Sequence, residues 1–152
     1  MKVFSVKEII EYAIRIEKES FAFYTQAAEQ VRDRGVRELT QQLAKEEVDH
    51  QNRLKALIDE EKVSPYGLKK TLEIDTTLMD RIVSTSGISE DAGAREVLQT
   101  ALERENNTER TYAMLMTLSN IGEDLVDVFR DLRKQEQGHA EKIKGRMKKL
   151  MD

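Results

Sequence analysis

Four stretches of the sequence repeat apolar residues at steps of three and four, and each stretch includes one glutamate in the same series. These steps place side chains on one face of an α-helix, which turns once in about 3.6 residues. A glutamate on that face is buried when the helices pack together. The glutamates concerned are Glu17, Glu47, Glu105 and Glu136. The pattern therefore predicts four packed helices with acidic side chains between them.

Local signals predict where the first two helices begin and end. Ser5 and Glu8 have the spacing of a capping box, which predicts the start of the first helix. Gly35 is expected to end that helix, because glycine commonly follows a helix C-terminus. The second helix must end before Pro65, since a residue preceding proline disfavours helical geometry. The two helices are expected to form a hairpin over about residues 5–61.

The next segment, about residues 62–90, has weaker periodicity and predicts a crossover, with a short helix around residues 77–83. Ser89 is the expected N-cap of the third helix. Gly122 is expected to separate the third helix from the fourth, which completes a second hairpin over about residues 90–151. Short, long and short connections are typical of a four-helix bundle with one long crossover.

The two hairpins resemble copies of one another. "AIRIEKESFAFY" (13–24) aligns with "ALERENNTERTY" (101–112): each has alanine, then glutamate four residues later, then tyrosine seven after that. Two Glu-x-x-His segments also align, at nearly the same offset along the chain. These matches indicate a duplicated helical hairpin. We predict an all-α fold, a four-helix bundle formed by residues 1–152 as a single domain.

Both histidines of the chain follow a stripe glutamate by three residues. His50 follows Glu47, and His139 follows Glu136. A step of three turns a helix by about 300° and rises about 4.5 Å, so both side chains leave the same face. A single such pair on a charged helix is commonly a surface pair. Two pairs at equivalent core positions are better explained as parts of one site.

Charge balance indicates what that site holds. Burying an unpaired carboxylate costs several kcal/mol, and no lysine or arginine matches the four glutamates along their stripes. Two divalent metal ions would neutralise four carboxylates. Carboxylate and imidazole ligands suit iron and manganese, and imidazole also suits zinc. The alternative is a metal-free polar core in which the six side chains satisfy one another.

The repeat suggests how six ligands would divide between two metal ions. Glu17 and His50 are the predicted terminal ligands of one ion, and Glu105 and His139 those of the other. The remaining glutamates, Glu47 and Glu136, are predicted to bridge the two ions and to be catalytic. This is the ligand set of di-metal carboxylate bundles, with Glu-x-x-His on two of the four helices.

Two tyrosines are further candidates for a catalytic role. Tyr24 and Tyr112 follow Glu17 and Glu105 by seven residues, two turns along the same helical face. They are either core side chains, or hydrogen-bond donors to ligand carboxylates, or local electron donors. Four other acidic residues are expected to face solvent or helix boundaries: Glu46, Asp49, Glu103 and Glu109.

Composition excludes several classes of protein. The absence of cysteine excludes disulfides, thiolate catalysis and cysteine-based metal sites. Lysine and arginine are interspersed with acidic residues, so no nucleic-acid partner is expected. No apolar run reaches the roughly 18 residues of a membrane span. Charged Lys7 and Glu8 come too early for a signal peptide, so a cytoplasmic protein is expected.

Four motifs resemble those of the ferritin-like di-iron carboxylate superfamily, and most of all its rubrerythrin branch. They are "RIEKESFAFY", "EEVDH", "ALEREN" and "EQGH", which contain the six predicted ligands. The resemblance implies a ferritin-like bundle with two iron ions that reacts with hydrogen peroxide or dioxygen. It also implies a role in oxidative stress and assembly as a homodimer. Within the superfamily, rubrerythrins reduce hydrogen peroxide, whereas bacterioferritins oxidise and store iron.

The sequence departs from both relatives. Rubrerythrins usually have a rubredoxin domain with four cysteines, which is lacking here, so a separate electron-donor protein is expected. Thr108 stands where rubrerythrins have an additional carboxylate, with Glu109 one residue away. The remaining six ligands are similar to those of bacterioferritin, but Val48 replaces its haem-binding methionine.

The expected function is therefore that of a rubrerythrin-like di-iron oxidoreductase acting on hydrogen peroxide or dioxygen. One alternative is a ferritin-like ferroxidase that stores or delivers iron, which would use the same site. Another is a non-enzymatic helical bundle in which the metal is structural, as in closed zinc sites.

Overall fold

The computed structural model describes residues 2–77, 88–118 and 121–151. Its elements in chain order are β1 (Lys2–Ser5), α1 (Val6–Gln30), α2 (Arg34–Asp59), α3 (Pro65–Leu68), β2 (Thr71–Ile74), α4 (Ala94–Met116) and α5 (Glu123–Met151). Helix α1 packs along α2, and α4 packs along α5. Contacts of α2 with α5, and of α1 with α4, join the two hairpins. The predicted all-α, ferritin-like four-helix bundle is confirmed.

A small two-stranded sheet accompanies the bundle and was not predicted. Strands β1 and β2 pair antiparallel, with Lys2 opposite Ile74 and Ser5 opposite Thr71. The backbone N–H of Val6 continues the contact by donating to the carbonyl of Lys70 at 2.8 Å. Pairing therefore ties the first part of the crossover to the start of α1. The β1 sequence KVFS does not alternate between polar and apolar residues, and four alternating residues in β2 are weak evidence for a strand.

The helix starts confirm one local prediction and correct another. Ser5 and Glu8 form the predicted capping box, each side chain bonding to the other's backbone N–H at 3.0 Å. The prediction that Gly35 ends the first helix is wrong, because α1 ends at Gln30 and Gly35 lies in the first turn of α2. Asp33 begins α2 by accepting a hydrogen bond from the N–H of Val36 at 2.9 Å.

The start of α4 also differs from the prediction. Its N-cap is Gly93, whereas Ser89 belongs to a preceding turn in which its carbonyl accepts from the N–H of Ala92. The short helix expected around residues 77–83 falls almost entirely outside the described residues. Gly122 lies just before α5 with φ of 94°, in the region that favours glycine.

The core consists of two apolar clusters. One includes Ile10, Leu54 and Phe129, and the other includes Leu43, Leu98 and Ile143. The four stripe glutamates and two histidines occur between these clusters along their helices, and all six are buried. The packing therefore places a charged layer between apolar layers. Within the described part of the chain, no helix has the length and apolar character needed to cross a membrane.

Candidate metal centre

The four long helices bring together all six residues predicted as metal ligands. Among the described residues, two groups have potential ligand atoms within 4.8 Å of one another. One group is Glu17, Glu47, His50 and Glu136, and the other is Glu47, Glu105, Glu136 and His139. Glu47 and Glu136 belong to both groups, the arrangement that bridging ligands require. That these side chains bind metal stays a prediction.

Both imidazole rings direct the same nitrogen toward the carboxylates. The Nδ1 atom of His50 lies 3.3 Å from Glu17 Oε2 and 3.2 Å from Glu136 Oε1. The Nδ1 atom of His139 lies 3.4 Å from both Glu47 Oε1 and Glu105 Oε1. The rings are nearly parallel, with centroids 5.5 Å apart. The two halves of the cluster therefore approximate the symmetry that the sequence repeat predicts.

The outer nitrogen of each ring contacts a hydrogen-bond acceptor. His50 Nε2 lies 2.6 Å from Gln135 Oε1, and His139 Nε2 lies 3.2 Å from Glu46 Oε2. An amide oxygen and a carboxylate oxygen can only accept, so we assign the hydrogen of each neutral ring to Nε2. In the neutral imidazole, Nδ1 is then left with a lone pair directed into the cluster, as a metal ligand requires.

Glu46 and Gln135 are functional candidates that the sequence analysis missed. Glu46 was expected to face solvent or a helix boundary, but its side chain is only 34% exposed and reaches His139. Gln135 was not among the predicted site residues. A signal was available, because each residue immediately precedes a predicted bridging glutamate and the two occupy equivalent positions in the repeat.

The two candidate tyrosines are fully buried and connect the hairpins. Tyr24 of α1 donates a hydrogen bond to Glu105 Oε1 on α4. Tyr112 of α4 donates to Glu17 Oε1 on α1 at 2.5 Å. Burial and the adjacent carboxylates raise the pKa of both hydroxyls well above the usual value, so they remain protonated donors. Each terminal glutamate is thus positioned by a tyrosine of the other hairpin.

Burial changes the pKa of the clustered acids in different directions. It raises the pKa of Glu47 to about 8, with a further contribution from the charge of Glu17. It also raises the pKa of Glu105, which lies beside Glu136. Burial opposes ionisation of Glu17 too, but contacts with Glu47 and His50 outweigh that effect and hold its pKa below the usual value. Without metal, the cluster therefore retains protons.

The neighbouring carboxylates also change the pKa of the two histidines. Burial disfavours the charged imidazolium, but the carboxylates around His50 and His139 outweigh burial and raise the pKa of both rings. Protons on the rings thus offset part of the negative charge when no metal is bound. A divalent ion would replace these protons.

Several atoms of the cluster make no hydrogen bond of good geometry among the described residues, although some lie close to one another. They are both carboxylate oxygens of Glu47, Oε2 of Glu105, Oε1 of Glu136 and Nδ1 of His139. Buried polar atoms in folded proteins are rarely unpaired, so the six side chains do not form a satisfied polar core. Carboxylate oxygens and imidazole nitrogens are suitable ligands for iron or manganese. The residues therefore fit a pair of such ions.

Thr108 and Glu109 contribute no further ligand within the described structure. The Thr108 hydroxyl donates to the carbonyl of Arg104 at 2.9 Å, within its own helix. Glu109 Oε1 accepts from Arg133 Nε at 2.6 Å and from Gln137 Nε2 at 3.2 Å. Glu109 is outside both ligand groups. It does not replace the carboxylate that Thr108 lacks.

A four-helix bundle around a buried layer of carboxylates and histidines defines a protein of the ferritin-like di-iron class. A sequence model of the rubrerythrin family matches residues 8–147. The chain belongs to the rubrerythrin family. No curated protein sequence matches it.

Two solved structures support the fold. A protein from Thermotoga maritima, described as a ferritin-like di-iron-carboxylate protein, has a TM-score of 0.73 at 20% identity, covering 97% of both chains. A hypothetical protein from Pyrococcus furiosus has a TM-score of 0.66 at 21% identity, covering 97% of this chain and 91% of its own. At these identities the likeness concerns the fold alone.

Proposed function

We propose that this protein is a di-iron oxidoreductase that reduces hydrogen peroxide to water. The supporting observation is the buried pair of overlapping ligand groups that share Glu47 and Glu136. Membership of the rubrerythrin family agrees with iron as the metal. Manganese and zinc also accept these ligands, so metal identity is part of the proposal.

The reaction consumes two electrons and two protons for each hydrogen peroxide, whose O–O bond breaks to give two water molecules. A reduced pair of iron ions supplies the two electrons when bound, one from each ion. The chain contains no cysteine and so no cysteine-bound redox centre of its own. We therefore propose that a separate electron-donor protein restores the electrons.

The surrounding residues prepare the site for this chemistry. Tyr24 and Tyr112 orient the terminal carboxylates, and their raised pKa keeps the hydroxyl protons in place at neutral pH. Apolar clusters on either side of the charged layer limit the access of water. Exclusion of water strengthens the electrostatic contacts inside the site and restricts side reactions.

Rapid mixing tests the proposal. The protein is loaded anaerobically with ferrous iron and mixed with either hydrogen peroxide or dioxygen. We expect peroxide to oxidise the iron much faster than dioxygen, with one peroxide consumed for every two ferrous ions. Glu47→Ala and Glu136→Ala should lose this reaction, whereas Glu141→Ala, at an exposed position of α5, should retain it. Peroxide turnover at the wild-type rate by both ligand variants would refute the mechanism.

A ferritin-like ferroxidase is the second candidate, because Thr108 leaves a six-residue set similar to that of bacterioferritin. Faster oxidation by dioxygen, with continued uptake of iron, would favour that function. Light scattering provides a second test: a large shell supports storage, whereas the expected homodimer supports the oxidoreductase. Metal that never changes its oxidation state would instead favour a structural role.

A further inference from the structure

The two histidines of the candidate metal centre have different outer partners. His139 Nε2 contacts a carboxylate oxygen, Glu46 Oε2, at 3.2 Å. His50 Nε2 contacts an amide oxygen, Gln135 Oε1, at 2.6 Å. Glu46 and Gln135 each precede a shared glutamate and come from the opposite Glu-x-x-His helix. The two halves thus have residues at equivalent positions but with different charge.

The next contacts outward from Glu46 and Gln135 also differ between the two halves. Glu46 Oε1 lies 3.8 Å from Lys142 Nζ, whereas Gln135 Nε2 donates to Asp131 Oδ2 at 3.2 Å, and Asp131 pairs with Arg53. Lys142 and Arg53 each follow a histidine by three residues. In one half a carboxylate touches the imidazole directly. In the other half a neutral amide separates the imidazole from the carboxylate.

This difference alters how strongly each imidazole binds a cation. A carboxylate beside Nε2 stabilises the positive charge that the ring gains when Nδ1 binds a cation, which makes Nδ1 a better ligand. Its charge also attracts the cation, which a neutral amide does not. Glu46 Oε2 is buried and contacts the ring as an ion pair, without hydrogen-bond geometry, so water does not screen its charge. Lys142 is 45% exposed, so its opposing charge is screened.

We propose that the two metal positions are inequivalent, and that Glu46 makes the position formed by Glu105 and His139 the tighter one. This position fills before the one formed by Glu17 and His50. Glu46 acts through His139 and is therefore a positioning residue. The inference rests on the proposed metal pair, but it does not depend on peroxide being the substrate.

Titration with Co²⁺, followed by visible absorption and calorimetry, tests the inference without catalysis. The wild-type protein should bind two ions in separate steps. Glu105→Gln should remove the tighter step, and Glu17→Gln should remove the weaker one. Glu46→Gln should weaken the tighter step by about 10–100-fold, the usual effect of losing such a partner of a ligand histidine. Gln135→Glu should strengthen the weaker step.

The Gln135→Glu variant separates an electrostatic role from a structural one, because damage to the fold does not strengthen binding. Glu141→Gln, an exposed charge change on α5, serves as the control and should alter neither step. If Glu46→Gln leaves both steps unchanged, or weakens both equally, the inference is wrong while the metal centre stands. If the wild-type protein binds no Co²⁺, the proposed metal centre itself is contradicted.

Discussion

The hydrogen bond from Tyr112 to Glu17 carries the most direct residue-level prediction. Tyr112→Phe removes the donor and leaves a buried carboxylate oxygen without it. We expect the free energy of unfolding of the metal-free protein to fall by about 1–3 kcal/mol. The affinity for ferrous iron should fall by about 10-fold or more, because the ligand is no longer held in place. Urea unfolding and anaerobic iron titration measure the two effects.

Tyr66→Phe is the matched control. Tyr66 is 80% exposed, so loss of its hydroxyl should change neither stability nor iron affinity. If Tyr112→Phe behaves like Tyr66→Phe, the hydrogen bond to Glu17 does not support the site.

The protons held by the metal-free cluster predict how stability depends on pH. The pKa of Glu47 is about 8 in the folded protein against an ordinary value of 4.5, so the folded state keeps a proton that the unfolded state has lost. The raised pKa values of His50 and His139 act in the same direction above their ordinary value of 6.5. The protein therefore takes up protons when it folds. As pH rises between about 5 and 8, the free energy of unfolding must fall.

Urea unfolding of the metal-free protein at pH 5 and pH 8 checks this direction. We expect the lower free energy of unfolding at pH 8. Metal binding requires deprotonated ligands, so the stabilisation by added ferrous iron should instead increase with pH. A metal-free protein that becomes more stable from pH 5 to pH 8 would contradict the assignment of these protons.

Periodicity and the repeat were sufficient to select the six cluster residues from the sequence. Each residue recurs at a helical step within an apolar stripe, and the duplication supplies an independent check. Glu46 could not be recognised in the same way. It is adjacent to Glu47 and so lies about 100° around the helix from it. Its contact with His139 arises from the packing of α2 against α5, and its position beside Glu47 in the repeat is the one sequence signal for it.

At the scale of elements, local signals succeeded where one choice was available and failed where several competed. Ser5 and Glu8 identify a capping box by their spacing alone. Near the start of α2, both Asp33 and Gly35 are candidates for a helix boundary, and before α4 both Ser89 and Gly93 are candidates. Which residue becomes the cap depends on how the hairpins pack.

Two glycines at α5 give opposite predictions for alanine substitution. Gly145 lies within the helix, and among the described residues a Cβ there would meet no atom within 4 Å beyond its chain neighbours and the adjacent helix backbone. Gly145→Ala should therefore raise the free energy of unfolding by about 0.5–1 kcal/mol. Gly122 has φ of 94°, so Gly122→Ala should lower it by about 1–2 kcal/mol. If urea unfolding shows that both substitutions change the free energy of unfolding in the same direction, the backbone conformations described for these two glycines are wrong.

At the scale of the whole molecule, two apolar clusters enclose the charged layer, so metal binding and folding should be coupled. Ligands bind the folded state in preference to the unfolded state and stabilise it by about 2.7 kcal/mol at 100 times the dissociation constant. Removal of metal with a chelator should therefore lower the melting temperature, and added ferrous iron should restore it. An unchanged melting temperature would contradict an interior site.

The overall architecture followed from the sequence because four long amphipathic helices with a duplicated pattern have few ways to bury their apolar faces. The sheet between β1 and β2 did not follow, because it pairs segments that are distant in sequence and only four residues long. The contact that joins them depends on where the crossover leaves the first hairpin. The pairing of β1 with β2 is therefore seen in the folded structure and not in the sequence.

Anaerobic titration with ferrous iron, with metal counted per chain, tests the central claim most directly. The wild-type protein should bind two ferrous ions per chain. The double variant Glu47→Gln/Glu136→Gln should lose both, because these side chains belong to both ligand groups. Circular dichroism establishes that the double variant remains helical. A folded wild-type protein that binds no iron, or a double variant that still binds two ions, would contradict the proposed di-iron centre.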